Sequence, residues 1–199
     1  MDTDWRIIRG FPEHLCQQAA ALYFEAFAGK IGGILGRDGR GESFVASVMN
    51  PGFAICAVSD DGASLLGIAG FKTAEGSLVG GSLADMTAAY GWFGGLWRGL
   101  LLSALERDLT DGQLLMDGIA VAAQARGKGI GAALLDAVCK EAARRSVGHV
   151  RLDVIDTNPR AKALYLRKGF VAEAVERTGI MRPVFGFSSA TRMVRAVSP

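Results

Sequence analysis

The second half of the chain changes its hydrophobic period three times, and few folds accommodate that order. "QLLMDGIAV", from Gln113 to Val121, is a short apolar run bounded by turn residues and reads as a strand. "GKGIGAALLDAVCKEAARR" switches to helical spacing, "HVRLDVI" returns to a strand, and "NPRAKALYLRKG" is again a helix. Such a succession of strand, helix, strand and helix marks an α/β chain. The first half is compatible with it. "WRIIR" reads as an opening strand, "PEHLCQQAAALYFEAFAGKIGGIL" as a helix that loses its regularity at Gly29, Gly32 and Gly33, and "ESFVASVMN" as a short helix stopped at Asn50 and Pro51. "FAICAVSDDGASLLGIAGFKT" gives two β-type runs about Asp60, Asp61 and Gly62, a hairpin signal, and "MVRAV" is the expected last strand.

A chain of 199 residues, half of them hydrophobic, can fill a full core, and one domain over 1–199 with an insertion at about 82–106 is expected. The net charge of +2 sets up no strong field, so neither nucleic acid nor a membrane surface is an expected partner. Cys16, Cys56 and Cys139 lie far apart in apolar segments, where thiols pack as small hydrophobes; a cytoplasmic setting is expected. Together with His14 and His149 they make no metal-ligand set, and no metal is expected. The start, "MDTDWRIIRG", has no long apolar core and does not read as a signal peptide. "AAYGWFGGLWRGLLLSAL", from Ala88 to Leu105, has the length of a short membrane span, but Arg98 sits at its centre and glycines weaken it as a lone helix. A buried or dimer-forming helix fits it better, with Tyr90, Trp92, Phe93 and Trp97 able to wall a pocket, so a homodimer stays open.

The densest signal is "ARGKGIGAALL", where Gly127, Gly129 and Gly131 alternate between basic and apolar residues at the start of a helix. Glycines let backbone approach a ligand, and a helix start presents unpaired N–H groups and a positive dipole end, so phosphate is the natural guest. A Walker loop is excluded, because Ile130-Gly131 stands where Lys-Ser or Lys-Thr is required. The dinucleotide fingerprint finds Gly127, Gly129 and Ala132 in place and Asp153 about twenty residues on. It fails on context, since "AAQAR" separates Val121 from Gly127. A glycine-rich helix start with no ligand is the plain alternative, although three glycines and two cations are more than a turn requires.

Arg126-Gly127-Lys128-Gly129-Ile130-Gly131 resembles the R/Q-x-x-G-x-G/A loop of the GNAT superfamily, the general amine N-acetyltransferases. The resemblance takes in the preceding strand "LLMDGIAV" and continues to an N-x-x-A-x-x-x-Y-x-x-x-G-F segment, matched at Asn158, Ala161, Tyr165, Gly169 and Phe170. It implies a mixed, mostly antiparallel central sheet with a splayed pair of parallel strands and helices on both faces. It also implies an acyl-coenzyme A donor, acetyl-CoA, and transfer to a primary amine. N–H groups from Arg126 through Gly127, Lys128, Gly129, Ile130 and Gly131 to Ala132 are placed to cradle the pyrophosphate, with Arg126 and Lys128 as counter-charge. The pantetheine arm resembles an extended peptide and can pair with the strand edge at Ile119, Ala120 and Val121.

Asn158, Ala161 and Tyr165 fall at i, i+3 and i+7, on one helical face. Asn158 offers an amide to the pantetheine or caps the helix ahead of Pro159, and the two roles are compatible. Ala161 leaves room, and Tyr165 is the candidate general acid for the departing thiolate, against a plain core tyrosine. Asp117 is the best-placed base, on the argument that it shares strand parity with Ile119 and Val121, with Glu25 second and a satisfied polar residue as the alternative. An acyl-enzyme at Cys139 is set aside, because that thiol is apolar in context and has no paired histidine. The acceptor is a small-molecule or peptide amine. The competing function is a non-catalytic acyl-CoA sensor or partner-binding module.

Overall fold

The computed structural model describes residues 4–35, 39–82, 84–92, 95, 109, 112–179 and 186–198, without the side chains of 27–34. Its strands are β1 (Trp5–Arg9), β2 (Ala54–Ser59), β3 (Leu65–Thr73), β4 (Gly76–Ser77), β5 (Gln113–Val121), β6 (His149–Ile155), β7 (Val171–Arg177) and β8 (Ser189–Ala196). The helices are α1 (Cys16–Leu35), α2 (Arg40–Val48), α3 at 84–92, α4 (Ile130–Arg144) and α5 (Pro159–Arg167). The sheet runs β1-β2-β3-β5-β6-β8-β7, with β4 beside β3. All pairs are antiparallel except β5 and β6, whose crossover through α4 makes them parallel.

Local chemistry accounts for the joints. The β2–β3 hairpin turns on Gly62 at φ +72°, with the Asp61 carboxylate accepting from the Ser59 hydroxyl and the Ala63 N–H. At the start of α3, the Ser82 hydroxyl accepts from the Asp85 N–H, and the Asp85 carboxylate accepts from the Ser82 N–H at 2.7 Å, a reciprocal cap. Asn158 accepts from the Ala161 N–H at 3.1 Å and Pro159 opens α5.

Helices lie on both faces of the sheet. A side chain at Gly67 would meet Ile130 and Leu134, so α4 covers the Gly67 side of β3. α5 lies next to α4, with Leu164 near Gly131 and Lys168 bonded to Asp136. The main core joins both strand faces with Leu15 and Ala19 of α1 and Leu134, Leu135 and Val138 of α4. A smaller cluster of Ala20, Leu35, Phe44, Val45 and Met86 holds α1, α2 and α3 together.

Three elements differ from the sequence expectation. α1 does not break at Gly29, Gly32 and Gly33 but continues to Leu35. Helical glycines cost about 1 kcal/mol each; burial of Leu35 and a bond from the Tyr90 hydroxyl to its carbonyl, 2.8 Å, fix the far end. β4 and β7 were not expected, and every residue of β7 is exposed. Of the expected insertion at 82–106, residues 84–92 are described as helical, with Trp92 exposed; Phe93, Trp97 and Arg98 lie outside the described residues. No helix among the described residues is long and apolar enough to cross a membrane.

Candidate active site

β5 and β6 are paired from Gln113↔His149 to Met116↔Leu152 and then part. β5 continues beside β3 to Val121↔Gly67, while β6 continues beside β8 to Ile155↔Ala190. From Asp117 onward the β6-facing edge of β5 is therefore released from its parallel partner. Ile119, Ala120 and Val121, expected to meet an extended ligand, lie along this open edge.

Asp117 sits where the strands part. Gly70 pairs with Gly118 and Phe71 with Met116, so Asp117 is an extra, half-buried residue in a β-bulge. The bulge interrupts the alternation, and the parity that linked Asp117 to Ile119 and Val121 cannot be counted across it.

The glycine loop follows directly. Gly127 and Gly129 have φ of +83° and +81°, a left-handed backbone that glycine adopts without strain, and nothing lies within 4 Å of where their side chains would project. Gly129 caps α4 with no side-chain bond. The helical ladder begins with Ala133 N–H to the Gly129 carbonyl, so the N–H groups of Ile130, Gly131 and Ala132 precede it. Arg126 is more constrained than the sequence suggested: its Nε donates to the Val121 carbonyl at 3.1 Å and ties the loop to the open edge. Lys128 is exposed.

On α5, Asn158 is a helix cap, which leaves its amide nitrogen for another partner. Ala161 lies one turn on, and Tyr165 is 8% exposed with its ring 6.1 Å from that of Phe170. The Tyr165 hydroxyl has no hydrogen bond among the described residues, and burial pushes its pKa up to about 12. Glu25 is exposed on α1. Cys139 is buried and burial raises its pKa, which keeps it a thiol. The described residues hold no group of three or more side chains that could bind a metal ion.

The sequence singles out Asp153 but not the polar set to which it belongs. Arg151, Asp153 and Arg192 gather on β6 and β8 beside the point of parting. Their signal was the alternation in "HVRLDVI", which gives one face of a central strand to polar residues.

A mostly antiparallel sheet opened at its single parallel pair, with a glycine loop at the start of the crossover helix, defines the GNAT fold class. The chain belongs to the Acetyltransferase (GNAT) family, whose model matches residues 40–170. Among solved structures it is similar to an N-acetyltransferase from Staphylococcus aureus Mu50, at 16% identity and a TM-score of 0.69 over 96% of this chain and 100% of that one. It is also similar to a GCN5-related N-acetyltransferase from Kribbella flavida, at 18% and 0.63 over 98% of each chain. A third is the ribosomal-protein-S18-alanine N-acetyltransferase from Escherichia coli, at 16% and 0.58 over 98% of this chain and 95% of that one. At these identities they establish the fold alone. No curated protein matches the chain by sequence.

Proposed function

We propose that the chain transfers an acetyl group from acetyl-CoA to a primary amine by direct attack, without an acyl-enzyme. The observation that carries this reading is the open edge of β5 followed by a glycine loop whose N–H groups precede the helical ladder; Tyr165, whose hydroxyl has no hydrogen bond among the described residues, joins it through the family resemblance of its segment. Acetyl-CoA fits the residues present, because the space at Gly127 and Gly129 admits a phosphate against N–H groups that precede the helical ladder. When bound, it supplies an activated thioester carbonyl.

The chain's residues then divide the work. Ile119, Ala120 and Val121 hold the extended arm by backbone bonds, assisted by Asn158, while Arg126, Lys128 and the loop from Gly127 through Ile130 and Gly131 to Ala132 hold the pyrophosphate. Ala161 leaves the arm room beside α5. The amine must be neutral to attack, and Asp117, at the parting of the strands, receives its proton directly or through water; Glu25 is the second candidate. Attack forms the C–N bond and breaks the C–S bond, and the surplus proton left on the nitrogen passes through water to the departing thiolate or to solvent. Tyr165, whose raised pKa keeps it protonated throughout the working pH range, donates a hydrogen bond to the departing sulfur. Full proton transfer to a thiolate whose own pKa is about 8.5 runs uphill from such a phenol, so hydrogen-bond donation is the main role.

The test is an amine screen with acetyl-CoA that reads release of the free thiol. Release above background hydrolysis is expected for at least one amine, and its absence across small amines, amino acids and peptides overturns the reading in favour of an acyl-CoA sensor. With a working acceptor, Tyr165→Phe should lower kcat about tenfold with coenzyme A affinity unchanged, below the roughly 10²–10⁴-fold of full general-acid catalysis, as fits a hydrogen-bond donor. Unchanged turnover, with chemistry shown to be rate-limiting, would make Tyr165 a packing residue.

A further inference from the structure

The sheet face turned away from α4 and α5 carries a row of charges whose order the strand register fixes. Arg145, at the end of α4, lies 5.2 Å from the centre of the Phe71 ring, so Phe71 faces α4. Phe71 pairs with Met116 and Met116 with Leu152, which share that side; Arg151 and Asp153 alternate onto the other. On β8, Thr191 meets Lys162 of α5 and Arg195 meets Asp136 of α4, which marks their side as the helical one. Arg192, the cross-strand partner of Asp153, is thereby turned to the opposite face as well. From the sheet edge inward the row is Glu176 on β7, Arg192 on β8 and Asp153 on β6, with Arg151 behind. Asp153 is the first residue of β6 past its last pairing with β5.

Arg192 donates to Glu176, a rim carboxylate whose side chain is 65% exposed. Arg151 and Asp153 are more than nine-tenths buried, yet stand 3.4 Å apart, longer than the roughly 2.7–2.9 Å of a strong charge-assisted bond. The Arg192 Nε is shut off from solvent and has no acceptor among the described residues. A buried guanidinium nitrogen without an acceptor is costly, and the guanidinium fork matches a carboxylate with two parallel bonds.

We infer that the acceptor is an amine that also carries a carboxylate a few bonds away, an amino acid rather than a protein N-terminus. Its amino group lies beside Asp153 at the parting of the strands, and its carboxylate meets Arg192 one strand outward. Glu176 occupies Arg192 in the free protein and yields to the incoming carboxylate, at little cost because it is mostly solvated already. The inference rests on the N-acyltransferase reading: the donor's phosphates belong to the start of α4, which leaves the opposite face of the open sheet for the acceptor.

The test uses the full chain with α- and β-amino acids, each beside its amide and its decarboxylated amine. Thiol release is read with acetyl-CoA, and binding is read separately by calorimetry with coenzyme A present. The acids should exceed their amides in kcat/KM by about ten- to a hundredfold, the range of a hydrogen bond to a charged group. Arg192→Gln should erase that preference through KM with kcat nearly kept, Arg192→Lys should restore part of it, and Glu176→Gln should lower the KM of the acids by removing a competitor. Equal use of acids and amides, or an Arg192→Gln variant that keeps its native melting temperature and slows both classes alike, overturns the inference and leaves the acyltransferase reading standing. Selective binding of acids without acetylation supports this site and removes that reading. No binding and no acetylation overturns both.

Discussion

The two ends of α4 are built on opposite principles. At the N-terminal end, Gly129 caps without a side chain, the loop stands open, and three N–H groups precede the ladder. At the C-terminal end three arginines converge on one carboxylate. The Glu141 side chain, 3% exposed, takes a two-pronged grip from Arg144 through Nε at 2.9 Å and Nη2 at 2.5 Å, with further bonds from Arg145 at 2.8 Å and Arg9 at 3.2 Å. Arg145 goes on to Glu75 and the Gly52 carbonyl and stacks over Phe53 and Phe71. This knot joins β1, β3, α4 and the turn before β2. A cavity of about 480 Å³ lies here, lined by Arg9, Arg144, Arg145 and Glu141, but its cations already have their carboxylate. On the proposed function the open end takes the ligand, while the bonded end holds the fold.

The contrast can be broken most severely at the bonded end. Glu141→Ala should cost about 2–4 kcal/mol in denaturant unfolding, somewhat below the loss for a fully enclosed pair, because Arg9 and Arg144 reach water and Arg145 is only partly buried. Coenzyme A affinity of the folded fraction should not change. A comparable loss of affinity would mean that the two ends are not independent.

A smaller effect of the opposite kind is expected at the open end. Gly129→Asp should weaken coenzyme A about ten- to a hundredfold by calorimetry, since it places a carboxylate where phosphates approach. Its stability cost should stay near about 1 kcal/mol, the strain of a side chain in left-handed backbone. Intact affinity would remove the phosphate from this loop.

Acid titration gives the finest measure. Its arginines hold the Glu141 carboxyl down at about 2, against an ordinary value of 4.5. A lowered carboxylate stabilises the fold above its unfolded pKa, and that contribution is lost as the pH falls through the folded value. The stability gap between the parent chain and Glu141→Ala should therefore be constant above pH 4.5 and narrow steadily toward pH 2. A gap that does not narrow would assign the effect of Glu141 to packing rather than charge.

How much of this was legible in the sequence follows from where each signal is stored. β5, α4, β6 and α5 are spelled by local periodicity, and the positive φ of Gly127 and Gly129 is spelled by the glycines themselves. Asn158 could be read as a cap because the following proline announces a helix start. β7 could not be read, since a strand exposed at every residue carries no burial pattern. The bulge at Asp117 was hidden too: it is a property of the register against β3, and residue counting along β5 alone assumes it away. The Glu141 knot was half visible. Arg144 and Arg145 at i+3 and i+4 look like surface pairs of a solvated helix face, and only the fold brings Arg9 from the first strand to complete it.

The strand order has a consequence for how the chain is made. β8 lies between β6 and β7, so the last strand in sequence is the one that joins its two predecessors. During synthesis β7 leaves the ribosome before β8, which is its sole sheet neighbour among the described residues. Until β8 emerges and slides in, β6 presents a bare flank on one side, and β7 can only wait or associate with a neighbouring nascent chain. The exposed glutamates of β7, Glu173 and Glu176, are then useful before any fold exists, since like charges discourage such strands from meeting one another.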